Sequence, residues 1–342
     1  MADHEPAAPK PTPAAPVART GPARILALLN GEAGRGNVDQ VREGITKGLE
    51  ETGALIDFVE MKAGVHARDL TKGAQAAGYD LVLVAGGDGT VADAAAGLME
   101  RSVPLGIIPA GTGNIVALNL GIPVAPKDAA RAAFFGTAEL YDVGRIDDGT
   151  ICLLGAGAGY DADLIRDADR ELKRRFGPLA YIFAMFKNLR VKRARYVVEL
   201  DDGERVHVLA KTVIVTNVPR TMGSLPLAPD ALVDDGRLDV VIFTFVGFFQ
   251  LFALFLKGLV GLLKQDPRVR FYQARTIRIS ASRPIPVQVD GDAVERTTPF
   301  SVEVVPGALR IMRPPAKPPS DFAQLAESAL KALRDLQGRK PE

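Results

Sequence analysis

The residues best suited to chemistry form a glycine turn, Gly86-Gly87-Asp88-Gly89-Thr90, behind the apolar run Leu81–Ala85 and ahead of a helical pattern from Thr90 to Met99. A strand that enters a helix through glycines lets several backbone N–H groups converge on phosphate oxygens at the helix start. Asp88 has the wrong sign for touching phosphate, but suits holding Mg²⁺ or taking a proton from an attacking hydroxyl. Alone, this turn is equally well a plain strand-to-helix connection. A second turn, Gly111-Thr112-Gly113-Asn114, follows the buried run Pro104–Ile108 about one strand–helix unit downstream. Two such turns at the carboxyl ends of neighbouring parallel strands would face one crevice, where open α/β sheets bind ligands.

The elements that must position these turns are legible as alternating strands and helices. Arg24–Asn30 is a short apolar strand, Asn30–Gly36 a glycine turn, and Val38–Thr52 a helical pattern; the sequence repeats at Ala54–Glu60, Leu81–Ala85 and Pro104–Ile108. Residues 23–140 therefore read as a wound α/β domain with a parallel sheet. From about Asp142 the chain changes to alternating β-type runs, among them Tyr196–Leu200, Val206–Leu209, Lys211–Val215, Arg275–Ile279, Ile285–Val289 and Phe300–Val305. Residues 141–313 read as a mostly antiparallel β-sandwich. Residues 1–22, rich in Pro and Ala, are expected to be a disordered arm. Residues 314–342 read as a Pro-rich hinge and a helix capped by Asp321, docking back on the first domain.

Composition narrows the field. The 342-residue chain has 42 Lys and Arg against 41 Asp and Glu, which excludes a general polyanion binder and gives no reason to expect a nucleic-acid partner. A single cysteine, Cys152, excludes an intrachain disulfide or a cysteine zinc cluster and fits a reducing, cytoplasmic compartment. The stretch Val240–Leu263 has the length of a membrane span, but its first part is β-branched and aromatic. Gly247 then separates it from a helix expected over Phe248–Leu263, and Lys257 would be costly at a bilayer centre. That helix is too apolar for water all round, so it is either packed on the sandwich or in contact with lipid. Between Arg166 and Arg195 lie ten basic against three acidic residues, interleaved with aromatics, a pattern suited to an anionic membrane or to a solvated face.

Taken together, the two glycine turns resemble the diacylglycerol kinase catalytic-domain family, which includes sphingosine and ceramide kinases and many bacterial lipid kinases. The likeness runs from Arg24 to Arg313. It implies that Asn30, Gly34, Gly86, Gly87, Gly89, Thr90, Gly111, Thr112, Gly113 and Asn114 hold ATP. It also implies that Asp88, Asp290 and Asp292 form the catalytic acidic cluster. Gly155–Asp163 is similar to the family's glycine-rich entry to the lipid domain, with Asp163 the candidate for a polar group of the lipid, such as an amide or amine. Pro229–Asp239 is similar to an acidic loop that holds a structural Mg²⁺ in relatives, which makes Asp234, Asp235 and Asp239 candidate ligands; without the resemblance the loop reads as a solvated turn. Asp290-Gly291 is also a strong hairpin signal, and both readings can hold. Asp93 and Asp292 stand where relatives carry glutamate, Met61 where they carry threonine, and Ile115 where many carry aspartate.

The expectation is an ATP- and Mg²⁺-dependent kinase acting on a lipid hydroxyl of diacylglycerol, ceramide or a sphingoid base, peripherally bound to the inner face of a membrane. Two alternatives stand beside it: a kinase of a soluble substrate, as in NAD kinases that share the first turn, and a lipid-binding protein without catalysis.

Overall fold

The computed structural model describes residues 22–31, 37–159, 192–201, 203–221 and 225–315. The expected arm before residue 22, the basic segment as far as Val191 and the helix after Pro315 lie outside the described residues, as do Gly34 and Asp163. Strands β1 (Arg24–Asn30), β2 (Leu55–Met61), β3 (Leu81–Gly86) and β4 (Leu105–Pro109) run parallel in the order β2-β1-β3-β4. Every residue of β3 and β4 is buried, the pattern of strands covered on both faces.

The helices show why these sequences fold locally as they do. In α1 (Val38–Leu49) the Asn37 side chain accepts from Asp39 N, and Val41, Ile45 and Leu49 recur every four residues on the buried side. It packs on α5 (Pro126–Phe135), which opens with proline at its first position. A Cβ on Gly44 would stand 2.7 Å from Pro126 Cβ, so only glycine permits so close a crossing. On α2 (Ala67–Thr71) packs α3 (Asp88–Leu98). Helix α3 starts two residues before the expected Thr90, because the extended Gly87 is its N-cap and Asp88 already belongs to its first turn. The short α4 (Ile115–Asn119) follows the second glycine turn.

The later strands pair antiparallel with one another, and the last of them also meets β4 in parallel. Strands β5 (Thr137–Ile146), β6 (Ile151–Cys152), β7 (Gly155–Gly159), β8 (Ala194–Leu200), β9 (Glu204–Ala210), β10 (Thr212–Thr216) and β11 (Leu238–Phe243) precede a helix, α6 (Phe248–Leu259). After it come β12 (Val269–Ala274), β13 (Thr276–Ala281), β14 (Pro286–Val289), β15 (Asp292–Thr297) and β16 (Phe300–Arg313). Six of these form one sheet in the order β12-β11-β10-β7-β14-β15. The opposite sheet continues the parallel layer as β4-β16-β13-β8-β9, with β5 also paired to β16. Tyr196, Val213, Val240, Ile277 and Phe300 are among the side chains packed in the sandwich core. The fold is thus the expected α/β layer joined to a β-sandwich.

The join is β16. The sequence reads as a strand over Phe300–Val305, but the strand runs on through Pro306-Gly307 to Arg313. Its register against β5 shifts between Val305 and Leu309, and Gly307 takes φ +58, so proline and glycine form a bulge rather than a stop. β16 pairs with β4 as well as with β13 and β5, and β5 spans residues 137–146. Helix α6 ends four residues earlier than expected. Gly261 adopts φ +72 and Leu262 N donates to Lys257 O at 2.8 Å, a glycine-terminated helix end. Val240–Leu263 is thus a strand, a turn and a short helix, and among the described residues no helix is long and apolar enough to cross a membrane.

The α2–α3 contact makes a sharp stability test. A Cβ on Gly97 would overlap Thr71 Oγ1 and Arg68 O, in a place where backbone must move to admit it. Gly97→Ala is expected to cost about 1–3 kcal/mol in spite of alanine's better helix propensity, read as a lower denaturant midpoint at unchanged slope.

Candidate functional site

The site begins where β3 and β4 end side by side, with Gly86 in register with Pro109 and Ala110 N donating to Gly86 O at 3.0 Å. The two glycine turns then touch backbone to backbone. A Cβ on Gly111 would overlap Gly87 Cα, and one on Gly87 would stand 3.3 Å from Gly111 Cα. Gly86 is under a similar constraint, with its absent Cβ 2.6 Å from Thr90 Cβ. Thr90 Oγ1 accepts from Asn30 Nδ2 at 2.8 Å, which ties the end of β1 to α3. Asn114 sits at φ +50, and its amide closes the second turn: Oδ1 accepts from Gly111 N and Nδ2 donates to Gly111 O, both at 2.9 Å. Thr112, Gly113 and Gly89 are exposed on the rim. Among the described candidate phosphate residues, Asn30, Thr90 and Asn114 shape the site with their side chains, and the glycines have none to place in it.

Asp88 links the two turns. Its Oδ1 accepts from Val116 N at 3.0 Å, and a Cβ on Gly113 would stand 2.9 Å from its Oδ2. The carboxylate of the first turn therefore sits at the positive N-terminus of α4. Burial raises its pKa, opposed by the backbone N–H groups of Val116, Ile115 and Asn114.

The sandwich supplies the other wall. Asp290 and Gly291 both take positive φ, +50 and +86, and turn β14 into β15 as Asp-Gly hairpins do. The Asp290 carboxylate faces inward and accepts from Leu153 N, Leu154 N and Gly155 N at 2.8, 2.8 and 2.9 Å. Burial lifts its pKa to about 6 against those hydrogen bonds, and the charge of Asp88 adds to the rise. Asp292, one step along, is exposed, with Oδ2 3.5 Å from where a Cβ on Gly89 would lie. Asp292 of the sandwich thus reaches Gly89 beside Asp88 at the start of α3, and Asp290 lies near enough to feel the charge of Asp88. Asp93 is held elsewhere, accepting from Arg68 Nε at 2.6 Å, with His66 Nδ1 3.7 Å away.

The acidic loop lies beside β5. Asp142, which sequence reasoning passed over, accepts from Gly236 N at 2.6 Å and from Gly307 N at 2.7 Å, so one carboxylate holds both the loop and the β16 bulge. Burial raises its pKa, and the neighbouring Asp235 and Asp234 add to that. Asp239 lies across the β11–β12 ladder from Gln273, whose Nε2 is 3.3 Å from both of its oxygens. Burial pushes it up to about 6, opposed by Gln273 and helped by Asp235. Asn217, donating to Asp142 O at 2.7 Å, keeps a buried Oδ1 without a hydrogen-bond partner. Among the described residues no three His, Cys, Asp or Glu side chains gather as a metal site. The donor set of Asp234, Asp235 and Asp239 is all oxygen and mutually repulsive, which fits a hard cation held largely through water. Asp142 gave no sequence signal beyond its place at the start of the β-rich half.

These raised carboxyls set the pH response. Asp290 and Asp239 keep protons to about pH 6 when folded, but only to the ordinary carboxylate range when unfolded. The folded form binds more protons in that window, so stability falls as pH rises from about 4 to about 6 and levels off above. In chelator, the melting temperature of wild type is expected to follow this fall, and Asp239→Asn to flatten it. An identical slope in the variant would remove Asp239 from the account.

The geometry has counterparts. Residues 24–146 match the family model of the diacylglycerol kinase catalytic domain, and residues 155–313 match that of the YegS C-terminal NAD kinase beta sandwich-like domain. A diacylglycerol kinase of Mycobacterium tuberculosis is 32% identical over 303 residues, covering 85% of this chain and 95% of its own. A probable lipid kinase YegS-like of Enterobacter sp. is 30% identical, covering 86% and 97%. The crystal structure of a putative diacylglycerol kinase from Bacillus anthracis superposes with a TM-score of 0.72 at 25% identity, over 87% of this chain and 98% of that one. The paired glycine turns, with a β-sandwich closing over them, accordingly belong to a lipid kinase of the diacylglycerol kinase catalytic-domain family.

Proposed function

We propose that this lipid kinase transfers the γ-phosphate of ATP to a hydroxyl of diacylglycerol, ceramide or a sphingoid base, working on the cytoplasmic face of a membrane. The observation that carries the reading is the placement of Asp88. It stands between the start of α3, which has no side-chain cap, and the start of α4, with Asp292 close by. The N–H groups of the first turn of α3 are the donors a triphosphate needs, and the close approach of Gly87 and Gly111 leaves no side chain in the way.

Phosphoryl transfer is chiefly positioning and charge neutralisation, so the protein's own part is small and specific. The lipid hydroxyl oxygen forms a bond to the γ-phosphorus as the bond to the β-phosphate oxygen breaks and ADP leaves. The hydroxyl proton passes to the Asp88 carboxylate, which burial makes a better base than an ordinary aspartate. Asp290 fixes the segment Leu153–Gly155 that leads into β7, and Asp292 reaches over Gly89. Asp290 and Asp292 complete the acidic cluster beside Asp88; Mg²⁺ would neutralise charge on the phosphates, and Mg²⁺ at Asp234, Asp235 and Asp239 would hold the acidic loop. Gly34 would continue the phosphate loop and Asp163 would meet the lipid's polar group; both lie outside the described residues.

Labelled ATP and vesicles containing each candidate lipid in turn test the reading. Label is expected in the organic phase for at least one lipid, and Asp88→Asn is expected to lower turnover at least about a hundredfold with its melting curve unchanged. Label found only on a water-soluble acceptor, or near-normal turnover in the variant, would overturn the assignment.

A further inference from the structure

The most apolar exposed surface among the described residues lies on α6 and its flanks. At about 100° per residue, the helix divides into three sectors. Leu251, Leu254 and Gly258 face inward, with Gly258 against Leu225, in a small core that includes Leu227, Ala231 and Phe243. Gln250 and Lys257 form a narrow polar edge. The remaining sector, roughly 120° wide, points away from the sheet and is wholly apolar. Phe249 is 84% exposed, Leu259 60% and Val260 67%, and Val246 and Leu262 extend the same surface at either end.

The polar edge is engaged within the protein. Gln250 Oε1 accepts from Val246 N at 2.9 Å. Lys257 Nζ reaches the buried Asp266 carboxylate at 2.8 Å, which Arg268 also grips at 2.6 Å. The only charge on the helix is thereby drawn toward Asp266 and away from the exposed sector. A charge-free surface of this size is poorly suited to water or to a charged partner, and well suited to the acyl boundary of a bilayer.

Its place in the fold connects it to the site. The loop that supports α6 carries Arg220, whose N and O pair with the Asn119 side chain at 3.1 and 2.8 Å. Asn119 ends α4, the helix whose start Asp88 occupies. The apolar surface is therefore linked through Arg220 and Asn119 to the helix that Asp88 contacts.

We infer that the exposed sector of α6, with Val246 and Leu262, is the surface that seats this protein in the bilayer containing its lipid substrate. The inference rests on the lipid-kinase reading above, and names the membrane contact for it. Seating is through hydrocarbon contact, so it does not depend on anionic headgroups.

Co-sedimentation of the full chain with vesicles of phosphatidylcholine, with and without phosphatidylglycerol, tests it. Wild type is expected to bind both in high salt, and the double variant Phe249→Ser, Val260→Ser to bind at least about tenfold more weakly. The same variant should phosphorylate a short-chain, water-soluble lipid analogue within about twofold of wild type and lose activity on vesicles. Retained melting temperature shows that the exposed positions are not core. Equal vesicle binding by variant and wild type overturns the inference, as does binding that high salt abolishes. A change from dimer to monomer with unchanged vesicle binding also overturns it, because a second copy would then be the occupant. If no lipid is phosphorylated but the variant still loses vesicle binding, the kinase reading fails and the seating surface stands.

Discussion

The approach of two backbones, at Gly87 and Gly111, is the constraint on which the rest depends. β3 and β4 deliver their chains in register to the same edge of the sheet, where a side chain at Gly111 would overlap Gly87 and one at Gly87 would crowd Gly111. Because the turns touch, a carboxylate from the first can reach the N-terminus of the helix that follows the second, and Asp88 does so. A buried acid is costly unless hydrogen-bonded, and the α4 backbone provides those bonds. The result is a carboxylate of raised pKa fixed beside oriented N–H groups.

The sandwich is tied to this centre by carboxylates rather than by apolar contact alone. Asp290 accepts three backbone N–H bonds from the segment entering β7, which locks the β14–β15 hairpin tip in place and so fixes Asp292 over Gly89. Asp142 does similar work at the junction of the two layers, holding the bulge in β16 and the acidic loop together. Both carboxyls are pushed up by burial, so the positioning of the site is maintained against an electrostatic cost that a nearby cation would relieve.

Much of this was legible in the sequence. The strand–glycine–helix pattern located both turns, and Asp290-Gly291 announced its hairpin, because each depends on local backbone geometry. The meeting of Asp292 with Gly89 was not legible from residue spacing, since it spans more than half the chain and came only through family resemblance. Asp142 was missed because a carboxylate that accepts backbone N–H bonds leaves no pattern in the surrounding residues. The length of β16 was not legible for the opposite reason: Pro306-Gly307, a sequence that often ends a strand, here marks a bulge held by a distant aspartate. In α6, Gly261 marks the helix end, a signal the expectation of a helix to Leu263 left unused.

The most direct measurement is the ATP affinity of Gly111→Ala by titration calorimetry. If contact between the two turns builds the phosphate cradle, one added methyl should weaken ATP binding at least about tenfold, with the circular dichroism spectrum and vesicle binding unchanged. Wild-type affinity in this variant would contradict the account, because the turns could then separate without harm to the nucleotide site.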